Sequence, residues 1–279
     1  MKKRLWQISA LMGVVLFGVT SFRPETCTWT AIGDSITYLN DHLDETGHRV
    51  TKGYLTAVVE QLPAIQYINQ GHNGWTAVQI AKEIDKLGLT SSDVYTILLG
   101  TNDWWAGLPL GTLNDYKNGT STGTTCGAFR VIIDKIRALN PHAKIILITP
   151  LQRGDFVYIA DHRNHATGSY QAKNGQLLSQ FADAVKEIGA YEHLTVVDLY
   201  YKSGITPANV VNFKYMKNPA TGQYERYSFP AYQGIPYNPD TDEYPYPVAA
   251  INYTYDGLHP SDKGNKKIAD MLVPQLKQH

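Results

Sequence analysis

Short apolar runs and helical patterns follow one another along most of the chain. Five runs have the length and apolar content of strands buried in a sheet: Thr28–Ile32, Ile65–Ile68, Val94–Leu99, Lys144–Thr149 and Thr195–Leu199. Apolar residues at helical spacing predict helices over Lys52–Leu62, Ala77–Leu87, Gly127–Leu139 and Gln171–Ile188, and a C-terminal helix capped by Ser261. Strands that alternate with helices favour an α/β fold with a parallel sheet covered on both faces.

The alternation stops after the fifth run. Residues 200–255 have no strong helical period and are rich in Tyr, Pro, Asn and Gly. Within this segment, Phe213–Tyr215 and Tyr224–Tyr227 flank the turn-forming sequence Asn218–Gly222, which predicts a β-hairpin. We therefore expect one domain over residues 22–279 that carries a tyrosine-rich insertion at about 200–255.

The N-terminus has the pattern of an export signal. Lys2, Lys3 and Arg4 precede an apolar run over Ile8–Val19 that ends in small and polar residues. This run is too short to span a bilayer comfortably. We expect a signal peptide over residues 1–21, a periplasmic or extracellular mature protein, and no integral membrane span in that mature chain; an uncleaved N-terminal anchor is the alternative.

Charge and residue content limit the partners, disulfides and cofactors that the chain is expected to have. Basic and acidic residues balance at 25 each, so the chain has no general attraction to nucleic acid or to anionic lipid. Cys27 and Cys126 could pair in an oxidising compartment, but the sequence does not settle whether they do. Neither a metal ion nor another cofactor is expected, because no His-Glu-x-x-His cluster occurs and His162 and His165 lie in a loop-like sequence.

Residues with catalytic chemistry stand just after the predicted strands, where open parallel sheets bind ligands. They form four groups: Gly33–Ser35, Asn69–Gly74, Gly100–Asp103 and, near the C-terminus, Asp256–His259. A serine hydroxyl needs a neighbouring base to act as a nucleophile, and a neutral imidazole is suited to physiological pH. We predict Ser35 as the nucleophile and His259 as its base, with Asp256 orienting the imidazole.

Acyl transfer also requires hydrogen-bond donors for the developing oxyanion. Three donors are available: the backbone N–H of Ser35, the backbone N–H of Gly74 and the side-chain amide of Asn102. We predict these three as the oxyanion hole. Trp104, His72 and Asn73 adjoin the same groups and are predicted to contact substrate, although packing and turn formation are the alternatives for them.

The four groups, in their order along the chain, resemble the four sequence blocks of SGNH (GDSL-like) hydrolases. The resemblance implies a flavodoxin-like, three-layer α/β/α sandwich around a five-stranded parallel sheet. It also implies metal-free hydrolysis of carboxylic esters through an acyl-enzyme, with the residue roles given above. Asp34 and Asp103 match the blocks as well, but we expect structural roles for both. The resemblance is thin over residues 200–255, which leaves the substrate open.

Three functions remain in competition at this point. The favoured one is an exported serine esterase that acts on a small-molecule or glycan ester and removes acetyl groups from carbohydrate. Tyrosines of the insertion could stack on sugar rings, or they could pack an irregular loop; they are Tyr224, Tyr227, Tyr232, Tyr237, Tyr244 and Tyr246. The alternatives are an esterase of the lysophospholipase or lipase type and a catalytically silent glycan-binding module.

Overall fold

The computed structural model describes residues 26–119 and 123–277. The predicted export signal, residues 1–21, lies outside these ranges. The strands within them are β1 Cys27–Gly33, β2 Ile65–Gly71, β3 Val94–Leu98, β4 Lys144–Ile148, β5 Phe156–Val157, β6 His165–Ala166, β7 Thr195–Val197, β8 Lys214–Lys217 and β9 Tyr224–Tyr227. The α-helices are α1 Ser35–Tyr38, α2 Tyr54–Gln61, α3 Ala77–Glu83, α4 Thr101–Trp105, α5 Leu113–Asn118, α6 Thr125–Leu139, α7 Leu178–Glu192, α8 Leu199–Lys202 and α9 Asp262–Leu276.

A five-stranded parallel sheet forms the centre of the molecule. Its order is β2-β1-β3-β4-β7, and its members are the five predicted strands. At the carboxyl edge, Gly33 of β1 lies opposite Gly71 of β2 on one side and Leu98 of β3 on the other. The segments that follow these three strands therefore leave the sheet side by side, with the one after β1 in the middle.

Helices cover both faces of the sheet, which confirms the predicted three-layer arrangement. Side chains alternate along a strand, so Trp29 and Ala31 of β1 enter one core and Ile32 enters the other. The first core is closed by α2 and α9, and the second by α3, α6 and α7. None of the helices within the described ranges is long and apolar enough to cross a membrane.

The start of α7 differs from the prediction. The sequence favours a helix from Gln171, but α7 begins at Leu178. The residues before it form a tight turn in which Lys173 and Gln176 are bridged, and Asn174 and Gly175 have positive φ angles of 47° and 74°. A left-handed pair of this kind cannot continue a right-handed helix, and so the helix starts after it.

The predicted hairpin is formed by β8 and β9, which pair antiparallel with Lys214 opposite Tyr227. The hairpin is attached to the rest of the molecule by a buried ion pair between Lys214 Nζ and Asp155 Oδ2, 3.1 Å apart. The hydroxyl of Tyr246 donates a further hydrogen bond to the backbone carbonyl of Asp155. The insertion is thus tied to the segment that follows β4.

Both cysteines are free thiols. Cys27 begins β1 and is half-buried, whereas Cys126 is buried in α6. Burial raises the pKa of both thiols, and that of Cys126 reaches about 12. The pairing that the sequence left open is not formed.

Candidate active site

Ser35 lies at the turn between the central strand and the first helix. Because β1 ends at Gly33, the next two residues form the N-terminus of α1. Asp34 caps this helix, its side chain accepting a hydrogen bond from the backbone N–H of Ile36 at 3.0 Å. The serine side chain is therefore held at the carboxyl edge of the sheet, where it is 4% exposed.

A continuous hydrogen-bond chain joins three of the predicted residues. His259 Nε2 lies 2.9 Å from Ser35 Oγ, and His259 Nδ1 lies 2.6 Å from Asp256 Oδ2. With the proton on Nδ1 held by the carboxylate, Nε2 is free to accept the serine proton. Asp256 is completely buried and His259 is 6% exposed, so the pair is protected from water.

The turn between Asp256 and His259 is built around a glycine. Gly257 has a φ of 91°, and a Cβ there would lie 1.7 Å from the backbone oxygen of Asp155. The tight turn lets Asp256 Oδ1 accept hydrogen bonds from the backbone N–H groups of Leu258 at 3.0 Å and His259 at 2.7 Å. The carboxylate is thus fixed by the same turn that carries the imidazole.

The predicted oxyanion donors flank Ser35 on both sides. Gly74 lies in the loop after β2, with a φ of 76° that favours glycine, and Asn102 lies in α4 after β3. The Asn102 amide donates one hydrogen bond to the backbone oxygen of Trp75 at 2.9 Å. This bond ties the two loops together and leaves the second N–H of the amide available to a ligand.

The comparisons with known proteins agree with this geometry. Residues 31–267 match the sequence profile of the GDSL-like Lipase/Acylhydrolase family. The chain belongs to this family. The GDSL-like protein is therefore an ester-hydrolysing enzyme, and the alternative of a silent glycan-binding module is set aside.

Solved structures show the same fold. A possible lipase from Chitinophaga pinensis is 62% identical, with a TM-score of 0.90 over 90% of this chain and 98% of that chain. A lipase/acylhydrolase from Enterococcus faecalis is 18% identical, with a TM-score of 0.50 over 91% and 96% of the two chains. A carbohydrate esterase family 3 protein from Talaromyces cellulolyticus is 16% identical, with a TM-score of 0.50 over 91% and 97%. No match was found among curated protein sequences.

Two further carboxylates of the GDSL-like blocks hold helices in place. Asp103 accepts hydrogen bonds from the backbone N–H groups of Ala77 at 2.8 Å and Val78 at 3.3 Å, so it fixes the start of α3. Asp34 caps α1, as described above. Burial raises the pKa of both carboxyls, to about 6 for Asp34. Both side chains therefore have the structural contacts that were expected from the sequence.

The placement of Trp104 requires a correction. Its side chain is fully buried, and its indole N–H donates to the backbone oxygen of Gln176 at 3.0 Å, so it does not reach a substrate in this conformation. Trp105, the next residue, is the partly exposed member of the pair. In the loop after β2, His72 is half-buried and stacks on Trp75 at 4.5 Å, while Asn73 is exposed and accessible to a ligand.

The sequence did not point to the segment after β4. Phe156 lies edge-on to the imidazole of His259, with ring centroids 5.4 Å apart, and Trp105 packs against Phe156 at 5.2 Å. Arg153 lies beside both rings and is fully buried. Position was the one sequence signal for this segment, because it follows the carboxyl end of a sheet strand, as three of the four catalytic groups do.

The tyrosines of the insertion are mainly packed. Tyr232 and Tyr246 are buried, and Tyr224, Tyr227, Tyr237 and Tyr244 are half-buried. Tyr224 stacks on Tyr215 at 5.4 Å. Packing therefore accounts for much of the tyrosine content. Within the described ranges, no group of three His, Cys, Asp or Glu side chains could hold a metal ion.

Proposed function

We propose that the enzyme is an exported serine esterase that removes acetyl groups from carbohydrate. The observation that carries the chemistry is the hydrogen-bond chain from Ser35 Oγ through His259 to Asp256, with distances of 2.9 and 2.6 Å. Export is supported by the basic N-terminus and the apolar run over Ile8–Val19.

The reaction proceeds in two acyl-transfer steps. Ser35 Oγ attacks the ester carbonyl while His259 Nε2 takes the serine proton, and Asp256 stabilises the imidazolium. Donors from Ser35, Gly74 and Asn102 receive the oxyanion, and the imidazolium then protonates the departing alcohol. A water molecule, deprotonated by His259, releases the acid from Ser35 by the same steps in reverse.

A short acyl group suits the surroundings of the triad. Ser35 and His259 are each less than a tenth exposed. Large exposed apolar side chains of the described residues are scattered over separate elements: Ile68, Leu177, Tyr191, Tyr201 and Val248. A bound fatty acyl chain needs a contiguous apolar surface instead.

A lipase-type substrate is the second candidate. The relative that is 62% identical to this chain is described as a possible lipase, which favours a lipid ester. The carbohydrate esterase from Talaromyces cellulolyticus shares only the fold, so it shows that the fold accommodates carbohydrate chemistry and no more. The two candidates differ in the length of the acyl chain and in the alcohol.

The nucleophile is tested with Ser35→Ala. We expect hydrolysis of p-nitrophenyl acetate to fall at least about a thousandfold, because Ser35 carries the one hydroxyl that is hydrogen-bonded to His259 among the described residues. Ser228→Ala, at an exposed serine of the insertion, is the control and should keep the wild-type rate. Equal rates for wild type and Ser35→Ala would refute the assignment of the nucleophile.

Substrate class is tested with p-nitrophenyl esters from acetyl to decanoyl and with a panel of acetylated polysaccharides. We expect kcat/KM to fall as the acyl chain lengthens, and acetate to be released from at least one polysaccharide. A rate that rises from acetyl to decanoyl would favour the lipase candidate and overturn the carbohydrate proposal.

A further inference from the structure

Arg153 is a buried cation without a matching anion in contact. Its side chain is 0% exposed. Nη2 donates one long hydrogen bond to the backbone oxygen of Thr167 at 3.4 Å, and Nε and Nη1 have no hydrogen-bond partner among the described residues. Burying a charged group in this way is costly, so its retention calls for a role other than stability.

Three aromatic rings surround the guanidinium, and we call Trp104, Trp105 and Phe156 the aromatic cage. The guanidinium carbon lies 4.6 Å from the ring centroid of Trp105, 5.4 Å from that of Trp104 and 5.8 Å from that of Phe156. Cation–π attraction accounts for this placement. Phe156 is also the ring that lies edge-on to His259, so one member of the cage connects Arg153 with the catalytic base.

The two carboxylates nearest to Arg153 are already engaged in hydrogen bonds or an ion pair with other groups. Asp256 accepts hydrogen bonds from its own turn and from His259. Asp155 is paired with Lys214 and also accepts hydrogen bonds from the Tyr170 hydroxyl and the Gly168 backbone. The positive charge of Arg153 therefore acts on Asp256 and Asp155 through space rather than through a hydrogen-bonded ion pair.

The backbone fixes this charge relative to the triad. Gly154 N donates to the backbone oxygen of Gly257 at 2.9 Å, and Val157 N donates to that of Asp256 at 3.3 Å. The segment that carries Arg153 and Phe156 is thus joined directly to the turn that carries the acid and the base. These hydrogen bonds join the two segments directly and not through the sheet.

We propose that Arg153 is a positioning residue of the triad, whose charge disfavours the imidazolium form of His259 and whose stacking holds the aromatic cage against the imidazole. The proposal rests on the proposed esterase function. Its direction follows from electrostatics, since a nearby cation opposes protonation of a histidine and keeps the base ready at lower pH.

Each of the other charged groups around His259 either favours or opposes the imidazolium form of this residue. Asp256 and Asp34 favour the imidazolium, whereas Arg153 opposes it, and Asp155 is offset by Lys214. Burial raises the pKa values of the tyrosines on the remaining sides, Tyr246 and Tyr255, so they stay neutral. Burial lowers the pKa of Arg153 only to about 10, so the guanidinium is charged throughout the neutral range.

The test compares Arg153→Met, which removes the charge, with Arg153→Lys, which keeps it but lacks the planar stacking group. We expect the acidic limb of the pH profile of kcat/KM for p-nitrophenyl acetate to move to higher pH in Arg153→Met, because a cation that opposes the imidazolium is removed. In Arg153→Lys the limb should stay close to its wild-type position. Because Lys cannot stack as Arg does, kcat at the plateau should fall about tenfold in both variants, with KM changed less than about threefold.

Two controls separate this role from a structural one. Arg226→Met removes an exposed guanidinium over Phe213, at 4.7 Å, and should leave the profile unchanged. Thermal unfolding of Arg153→Met should begin no earlier than in the wild type, because an unpaired buried charge is replaced by an apolar group. Unchanged profiles in Arg153→Met, or equal shifts in the Met and Lys variants, would overturn the proposal.

A titration of His259 itself tests the role of Arg153 without relying on enzyme activity. In a Ser35→Ala background, the imidazole of His259 can be titrated by NMR with and without Arg153→Met, or with Arg153→Gln if the Met variant does not fold. We expect the imidazole to bind its proton more tightly when the guanidinium is absent. An equal titration in both proteins contradicts the role of Arg153. Loss of the esterase function would show instead as inactive wild-type protein.

Discussion

At the scale of single residues, the buried carboxylates of the site differ in the number of hydrogen bonds that support them. Asp256 accepts from two backbone N–H groups and from the imidazole, and Asp103 accepts from two backbone N–H groups and a threonine. Asp34 accepts one such bond, from Ile36. A buried carboxylate with fewer donors is the one that takes up a proton most readily.

This difference predicts an effect of pH on stability. Burial raises the pKa of Asp34 from 3.8 to about 6, so the folded protein binds this proton more tightly than the unfolded chain. The ionised carboxyl costs stability above pH 6, and that cost disappears as the pH falls towards 4. Asp34→Asn keeps a helix cap, so its free energy of unfolding relative to wild type should be on the order of 2 kcal/mol higher at pH 7.5 than at pH 4.5.

Chemical unfolding at several pH values measures this difference. Asp115→Asn is the matched control at another helix N-terminus, because hydrogen bonds from Thr112 lower the pKa of this exposed carboxyl. Its pH dependence relative to wild type should have the opposite sign. A difference for Asp34→Asn that does not vary with pH would contradict the burial argument.

Asn102 is the residue that tests the oxyanion hole. In Asn102→Ala we expect kcat for p-nitrophenyl acetate to fall by about a hundredfold or more, with little change in KM, because the lost donor acts mainly on the transition state. Asn118→Ala, at an exposed side chain of α5, serves as the comparison and should keep the wild-type kcat. A rise in KM at constant kcat would assign Asn102 to substrate binding instead.

Which tryptophan of α4 faces the core could not be read from the sequence. Trp104 and Trp105 are adjacent in a five-residue helix, so they point in directions about 100° apart, and both are apolar enough to be buried. The packing of α7 decides between them, because Phe181 and Leu178 cover Trp104. Arg153 was missed for a related reason, since an arginine in a short loop looks solvated until its aromatic neighbours are known.

At the scale of elements, the insertion is part of the support of the active site. Its strand β8 supplies Lys214, which reaches Asp155 in the segment beside the catalytic turn. The hairpin itself could be predicted from its turn residues, but its attachment could not, because the partner lies 59 positions away in the chain. The start of α7 was also mispredicted, although the sequence carried the signal, since Asn174-Gly175 is a turn-forming dipeptide and forms the left-handed turn before the helix.

The buried ion pair gives a prediction for stability. Lys214→Met should lower the free energy of unfolding by about 3–5 kcal/mol, because it leaves the Asp155 carboxylate without its cation. Lys266→Met, which removes the exposed pair with Asp270, should cost less than about 1 kcal/mol. Urea unfolding of the two variants measures both values. Equal effects would show that the insertion is not held by this pair.

At the scale of the whole molecule, the sequence was most informative. Five apolar runs became the five strands of the sheet, and the residues chosen after them lie at one edge of it. This was predictable because strand burial and chain direction leave few parallel arrangements. The substrate was not predictable in the same way, since it depends on loops whose positions are set by distant contacts.

The order in which the chain is made bears on when the enzyme becomes active. Ser35 and His259 are joined by a hydrogen bond across 224 positions, so the nucleophile and every strand of the sheet leave the ribosome well before the base. A chain interrupted before residue 256 has a nucleophile but neither proton acceptor nor orienting acid. The proposed export could therefore begin before the triad is complete.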